Sequence, residues 1–309
     1  MMNILITTSS FGQYDRRPFD LLTEAGFSYS LNPFGRTLTR EEFLKLIGDS
    51  VGVIAGTEPL DVEDLKKIPT VKAISRCGVG LDNVDLVTAK ELSIVVTNTP
   101  DCITVAVAEL TVGLILALLR KTLLMDKRLK EGKWQKMMGY LLSGKNIGVI
   151  GFGRIGQKVG ELLSHFDAKI GFYDTVIQPR SFARYMALEE LCHWADIICM
   201  HAAKTTDGKY LLDKTQIDNL KDGAWLVNCA RGGVVNENAL YEALVKGKLS
   251  GAALDVFEEE PYQGPLLKLE NIILTPHIGS YAKEARVNME LEAVKNLLKS
   301  FNSYSRSEI

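Results

Sequence analysis

GVIGFGRIGQKVG, residues 148–160, decides the fold. It grows out of the apolar run NIGVI at 146–150 and sets Gly151, Gly153 and Gly156 in a G-x-G-x-x-G spacing as a helical pattern begins. A strand that turns sharply into a helix uses glycines for the turn, for close approach of its backbone to a ligand, and for tight helix–sheet packing. The first turn of that helix, with Arg154 and Ile155, offers unpaired amides and the positive end of a dipole, which suits a pyrophosphate. Arg154 can add its own charge. The next apolar run, KIGFY at 169–173, delivers Asp174 eighteen residues beyond Gly156. A carboxylate there can accept from both hydroxyls of a ribose and repels a 2′-phosphate, so the spacing points to NAD rather than NADP.

The same alternation of short apolar runs and helical patterns extends both ways along the chain. DIICM (196–200), AWLVN (224–228), GAALDV (251–256) and NIILT (271–275) continue the series, while ILITT (4–8), GVIA (52–55), KAIS (72–75) and IVVTN (94–98) form an earlier one. Such alternation predicts α/β architecture with two doubly wound, Rossmann/flavodoxin-like parallel-sheet domains. Thr39 with Glu42 reads as a capping box, and Pro18 opens a helix that Gly26 closes. Between the two series, Leu110, Leu114, Ala117, Leu118 and Leu124 keep helical spacing over about 105–130, which predicts one long helix. A last helical pattern, about 282–300, returns to the first series. The predicted division is residues 1–99 plus 283–309 as a substrate-binding domain and 100–282 as a nucleotide-binding domain. The apolar excess of the long helix predicts a homodimer through the latter.

Lys and Arg number 36 against 38 Asp and Glu, so no bulk charge attracts nucleic acid or an acidic membrane. The longest apolar run, LTVGLILALL at 110–119, is too short for a bilayer, and MMNILITTSS passes into a strand pattern without a basic leader. A cytoplasmic protein is expected. Its five cysteines, Cys77, Cys102, Cys192, Cys199 and Cys229, form no CxxC pair and are expected as reduced thiols. CysHis at 192–193 and CysMetHis at 199–201 lack structural-zinc spacing, so no metal is expected.

Three motifs lie at or just after strand ends of the second series: NCARGG (228–233) with Arg231, DVFEEEP (255–261) with Glu260, and LTPHIGS (274–280) with His277. Ligands of open α/β sheets bind beyond the carboxyl ends of the strands. A guanidinium, a carboxylate and an imidazole are therefore expected to converge on one crevice.

Together with CGVGLDNVD (77–85), TNTP (97–100), AVAELTVGLILALLR (106–120), GKW (132–134) and LSGKNIGVIGFGRIG (142–156), these motifs make the sequence resemble the D-2-hydroxyacid dehydrogenase family, in its phosphoglycerate dehydrogenase-like branch. The resemblance implies an active-site cleft between the two domains and hydride transfer between NAD(H) and a D-2-hydroxy acid or 2-keto acid. It implies that Arg231 anchors the substrate carboxylate and polarises the 2-oxo group, a task suited to a bidentate fork. His277 would be the acid/base, and Glu260 would hold the imidazole and keep it protonated for reduction. Asp255 matches the position that orients the nicotinamide carboxamide. The loop Cys77, Gly78, Val79 and Gly80 would bind the substrate carboxylate through its amides.

D-3-phosphoglycerate is the substrate the branch suggests. Where phosphoglycerate-using relatives carry an arginine this chain has Ala55, for which Arg76, or Arg16 and Arg17, could substitute. An unphosphorylated or sulfonated 2-hydroxy acid, as in glyoxylate/hydroxypyruvate reductases, is the alternative substrate. A non-catalytic NADH-sensing binding protein is the alternative function. His165 and His193 read as surface residues, and His201, near the cofactor crevice by resemblance, is assigned no catalytic role.

Overall fold

The computed structural model, which describes residues 2–205 and 207–307, divides into two compact units: Met1–Ile103 with Ser280–Ile309, and Thr104–Gly279. The first is built on β1 (Met2–Ile6), α1 (Arg17–Glu24), β2 (Phe27–Leu31), α2 (Arg40–Ile47), β3 (Gly52–Ala55), α3 (Val62–Lys66), β4 (Ala73–Arg76), α4 (Leu86–Glu91) and β5 (Val95–Thr97). All its strands pair in parallel, in the order β2-β1-β3-β4-β5. Runs such as Ile4–Leu5–Ile6 and Val53–Ile54–Ala55 are buried throughout, as a sheet covered on both faces requires. The capping box at Thr39 and Glu42 is formed, and a second one at Asp61 and Asp64 starts α3.

The second unit holds α5 (Thr104–Arg120), α6 (Thr122–Lys130), β6 (Asn146–Ile150), α7 (Arg154–Ser164), β7 (Lys169–Tyr173), β8 (Ala183–Tyr185), α8 (Leu188–Trp194), β9 (Ile197–Met200), α9 (Lys214–Asp218), β10 (Ala224–Asn228), α10 (Glu237–Val245), β11 (Leu249–Leu254) and β12 (Ile272–Leu274). Its parallel sheet runs β12-β11-β10-β9-β6-β7-β8. The last helix, α11 (Lys283–Ser307), belongs to the first unit, where Met289, Ala293, Val294 and Leu297 are buried against the faces of β3, β4 and β5.

The single helix expected over 105–130 is two helices. Lys121 adopts left-handed dihedrals (φ 54°), and the Leu119 carbonyl accepts the Tyr140 amide at 2.9 Å, so the chain breaks between α5 and α6. Two strands lie outside the apolar runs read from sequence. Both β2 (FSYSL) and β8 (ARY) are edge strands, only partly covered, and, unlike the other edge strands β5 and β12, they interleave polar residues and carry no continuous apolar run.

In each sheet the strand order reverses at one point, between β1 and β3 in the first and between β6 and β9 in the second. Loops beyond those strands diverge there and open a crevice. The glycine loop follows β6, and the three charged motifs follow β10, β11 and β12 on the same carboxyl edge.

Candidate active site

Each glycine of residues 151–156 has a distinct reason. Gly151 has φ 89°, and a side chain there would run into the backbone of His201 and Ala202; a Cβ on Gly156 would collide with the Gly151 carbonyl. Those two glycines serve the protein's own packing. Gly153, which caps α7, is different: a Cβ there would meet no protein atom within 4 Å. Open space beside a bare backbone, at the N-terminus of an eleven-residue helix, is a cradle for a phosphate. Arg154 and Ile155 form the first turn of that helix. Asp174, just past β7, accepts the Phe152 amide at 2.5 Å and the Val176 amide at 3.0 Å, so it also fixes the glycine loop. The residues present thus fit an NAD-type dinucleotide.

His277 lies on the loop after β12 with φ 55°, a left-handed conformation uncommon outside glycine, though open to histidine more readily than to most residues. Buried Asp255 fixes it here: one oxygen accepts the Thr275 hydroxyl (2.6 Å) and the Ile278 amide (2.8 Å), and the other accepts the Gly279 amide (2.8 Å). By family resemblance Asp255 is expected at the cofactor. Its support of the His277 loop was not foreseen, because those partners lie 20 or more residues away and only the β11–β12 pairing brings them close.

The His277 Nδ1 is 2.8 Å from Glu260 Oε2, and Glu260 Oε1 accepts the Phe257 amide at 3.1 Å. Burial pushes the Glu260 carboxyl up, but the hydrogen bond and charge of His277, the Phe257 amide and the Arg231 charge together hold it below its ordinary value. Glu260 is therefore an anion at neutral pH. With Nδ1 engaged, Nε2 is the nitrogen left for proton transfer.

Arg231 follows Ala230, whose carbonyl accepts its Nη1 at 2.8 Å, and the Asn228 side chain ties this turn by bonding the Arg231 carbonyl and the Ala230 amide, each at 3.0 Å. The two glycines that follow have separate tasks. A Cβ on Gly232 would strike the Phe257 carbonyl, so this glycine lets the arginine turn pack directly on the loop that carries Glu260, while Gly233 takes φ 77°. Arg231, Glu260 and His277 are thereby brought to one edge of one sheet.

In the first unit, Cys77–Gly80 follow β4. Gly78 donates its amide to Thr99 Oγ1 at 2.9 Å and accepts the Thr99 amide at 2.9 Å, and the Val79 carbonyl accepts the Asn98 side chain at 2.7 Å. The Val79 and Gly80 amides donate to no backbone carbonyl among the described residues. Cys77 is buried and its thiol pushed up to about 11 by burial, so it is no nucleophile. Arg76 lies over this loop, bonding the Cys77 carbonyl and filling the space a side chain on Gly78 would need. Arg16 and Arg17 instead pair with Asp20 and Asp15 on the surface. Ala55 is a fully buried strand residue.

His165 and His193 are exposed, each ring bonded to the carbonyl four residues earlier. His201 follows β9 and is pushed down to about 4 by burial. Among the described residues no three His, Cys, Asp or Glu side chains group as metal ligands, and no helix is long and apolar enough to cross a membrane.

Comparison with known proteins agrees with this geometry. Residues 112–279, more than half of the chain, match the family described as D-isomer specific 2-hydroxyacid dehydrogenase, NAD binding domain. The chain belongs to that family. A D-3-phosphoglycerate dehydrogenase of Methanocaldococcus jannaschii is 44% identical over 81% of this chain and 49% of its own length, so the chain spans about half of that relative. A glyoxylate reductase of Thermofilum pendens is 40% identical over 84% of this chain and 81% of its own. The crystal structure of a Thermus thermophilus protein superposes with TM-score 0.92 at 34% identity, covering 98% of this dehydrogenase-family chain and 97% of its own. The glycine loop, Asp174, Arg231, Glu260 and His277 all fall within the residues matched to that NAD-binding domain.

Proposed function

We propose that this chain catalyses NAD-dependent interconversion of a D-2-hydroxy acid and its 2-keto acid, with D-3-phosphoglycerate as the substrate. The observation that carries the chemistry is the His277–Glu260 pair, 2.8 Å apart beside Arg231, on a loop held in a left-handed turn by buried Asp255. Gly151–Gly156 and Asp174 would hold NAD, which when bound would supply or accept the hydride. The protein's own residues do the rest. Arg231 binds the carboxylate and polarises the 2-oxo oxygen. His277 Nε2 gives a proton to the developing alkoxide in reduction and removes it in oxidation, and Glu260 fixes the imidazole tautomer and offsets its positive charge. The Val79 and Gly80 amides receive the substrate carboxylate, and Arg76 beside them supplies the cation that Ala55 cannot.

The buried strand position of Ala55 favours a second substrate reading, an unphosphorylated keto acid of the glyoxylate or hydroxypyruvate type. Initial rates of NADH oxidation with 3-phosphohydroxypyruvate beside hydroxypyruvate and glyoxylate decide between them. Preference for the phosphorylated acid supports the first reading. Binding of NADH without turnover of any of these acids would mean a nucleotide-sensing protein.

We also assign the protein to the cytoplasm, as a homodimer through its NAD-binding domain. Trp134, Met138 and Leu141, on the segment between α6 and β6, are 83%, 88% and 71% exposed, an apolar strip suited to burial against a second copy. Sedimentation showing a monomer at micromolar concentration would contradict the dimer.

A further inference from the structure

The loop after β7, residues 174–182, carries two opposed charges: Asp174 and its one basic side chain, Arg180. A carboxylate at this place accepts the ribose hydroxyls, whereas an arginine nearby accommodates a 2′-phosphate. Which of the two governs nucleotide choice depends on where the guanidinium is held. It is held by Gln157, in the first turns of α7. Arg180 Nη2 donates to Gln157 Oε1 at 2.5 Å, and Nη1 donates to the Pro179 carbonyl at 3.0 Å. Gln157 Nε2 donates in turn to the Phe152 carbonyl at 2.8 Å and to Gln178 Oε1 at 2.7 Å.

One side-chain amide therefore ties the glycine loop, the start of α7 and the loop after β7 together. Phe152 is the common point, giving its N–H to Asp174 and accepting Gln157 at its C=O. A guanidinium forks onto phosphate far more strongly than onto a neutral amide. Gln157 cannot neutralise Arg180, but it can fix its position.

We propose that Gln157 is a specificity-determining residue for the nucleotide: by seating Arg180 on its side-chain oxygen it withholds that guanidinium from a 2′-phosphate, so that Asp174 governs the choice. This rests on the NAD-dependent reading above. A brace with no part in selection would affect both nucleotides alike. The selective role predicts opposite effects on the two.

The test is titration of the purified protein with NADH and with NADPH, following tryptophan and nicotinamide fluorescence, for the wild type, Gln157→Leu, Gln157→Glu, Arg180→Gln and the Gln157→Leu/Arg180→Gln pair. Gln157→Leu should move the ratio of the two dissociation constants toward NADPH by about fivefold, the size of one ordinary hydrogen bond. Gln157→Glu, which grips Arg180 with a charge, should move it toward NADH. The double variant should lose the gain seen in Gln157→Leu, since that gain runs through Arg180. An unchanged ratio in both single Gln157 variants, or a gain that survives in the double variant, overturns the inference while leaving NAD dependence intact. A wild type that binds neither nucleotide overturns the cofactor reading itself.

Discussion

Beyond the strands of the second unit, the groups that matter are side chains open to solvent and braced from behind: His277 by its bond to Glu260 and by buried Asp255 under its loop, Arg231 by buried Asn228 and by the close approach at Gly232. Beyond the strands of the first unit the pattern is inverted. Polar side chains such as Thr7 after β1 and Glu58 after β3 are themselves buried, and what the loop after β4 offers is backbone, the amides of Val79 and Gly80. A proton carrier needs a titratable side chain in reach of its substrate, whereas recognition of a carboxylate needs only fixed dipoles. Under the proposed function, the same parallel-sheet edge serves chemistry in one unit and recognition in the other.

The sharpest way to break that contrast is His277→Ala. It should lower kcat for keto-acid reduction by about 10²–10⁴-fold and leave NADH binding nearly unchanged, as stopped-flow rates and fluorescence titration can check. Next in size is Gly232→Ala, whose Cβ would strike the Phe257 carbonyl. It should reduce kcat more than tenfold and lower the thermal midpoint. Glu260→Gln removes the negative charge beside His277 and should bring the alkaline limit of reduction down by about one pH unit, read from kcat/KM against pH. In the wild type the Glu260 carboxyl lies below its ordinary value, so the stabilisation it brings to the folded state is present above the carboxylate range and lost only as pH falls through that lowered value.

Two changes in the first unit probe the other side. Gly78→Ala, with φ 152° and the Arg76 guanidinium in the way of its Cβ, should raise KM for the keto acid about tenfold while kcat and NADH affinity hold. A comparable fall in kcat would blur the division of labour. Burial pushes the Glu58 carboxyl up, against the opposing bonds from Thr7 and Gly56. A raised carboxyl favours the folded state when protonated, and that contribution is lost as pH rises through the folded value. Glu58→Gln, neutral at every pH, should therefore gain thermal stability relative to the wild type between pH 4 and pH 8, by about 2–4 °C.

How much of this was legible in the sequence follows from what each feature depends on. Interior strands such as NIGVI and AWLVN announce themselves because a parallel strand buried on both faces must be apolar throughout. Edge strands β2 and β8 escape that requirement, and the break at Lys121 depends on a contact with Tyr140 that no local pattern encodes. In the site, Arg231, Glu260 and His277 could be read because strand ends deliver them. The groups behind them could not. The bonds of Asp255 to residues 275–279 and of Gln157 to Arg180 join segments about 20 residues apart that only the folded sheet makes neighbours.

The most direct test of the central claim follows NADH absorbance with 3-phosphohydroxypyruvate, hydroxypyruvate and glyoxylate for the wild type and His277→Ala side by side. The wild type should turn over at least one acid, and His277→Ala should lose at least about 10²-fold in rate while still binding NADH. A variant that reduces the acid at the wild-type rate would contradict that claim.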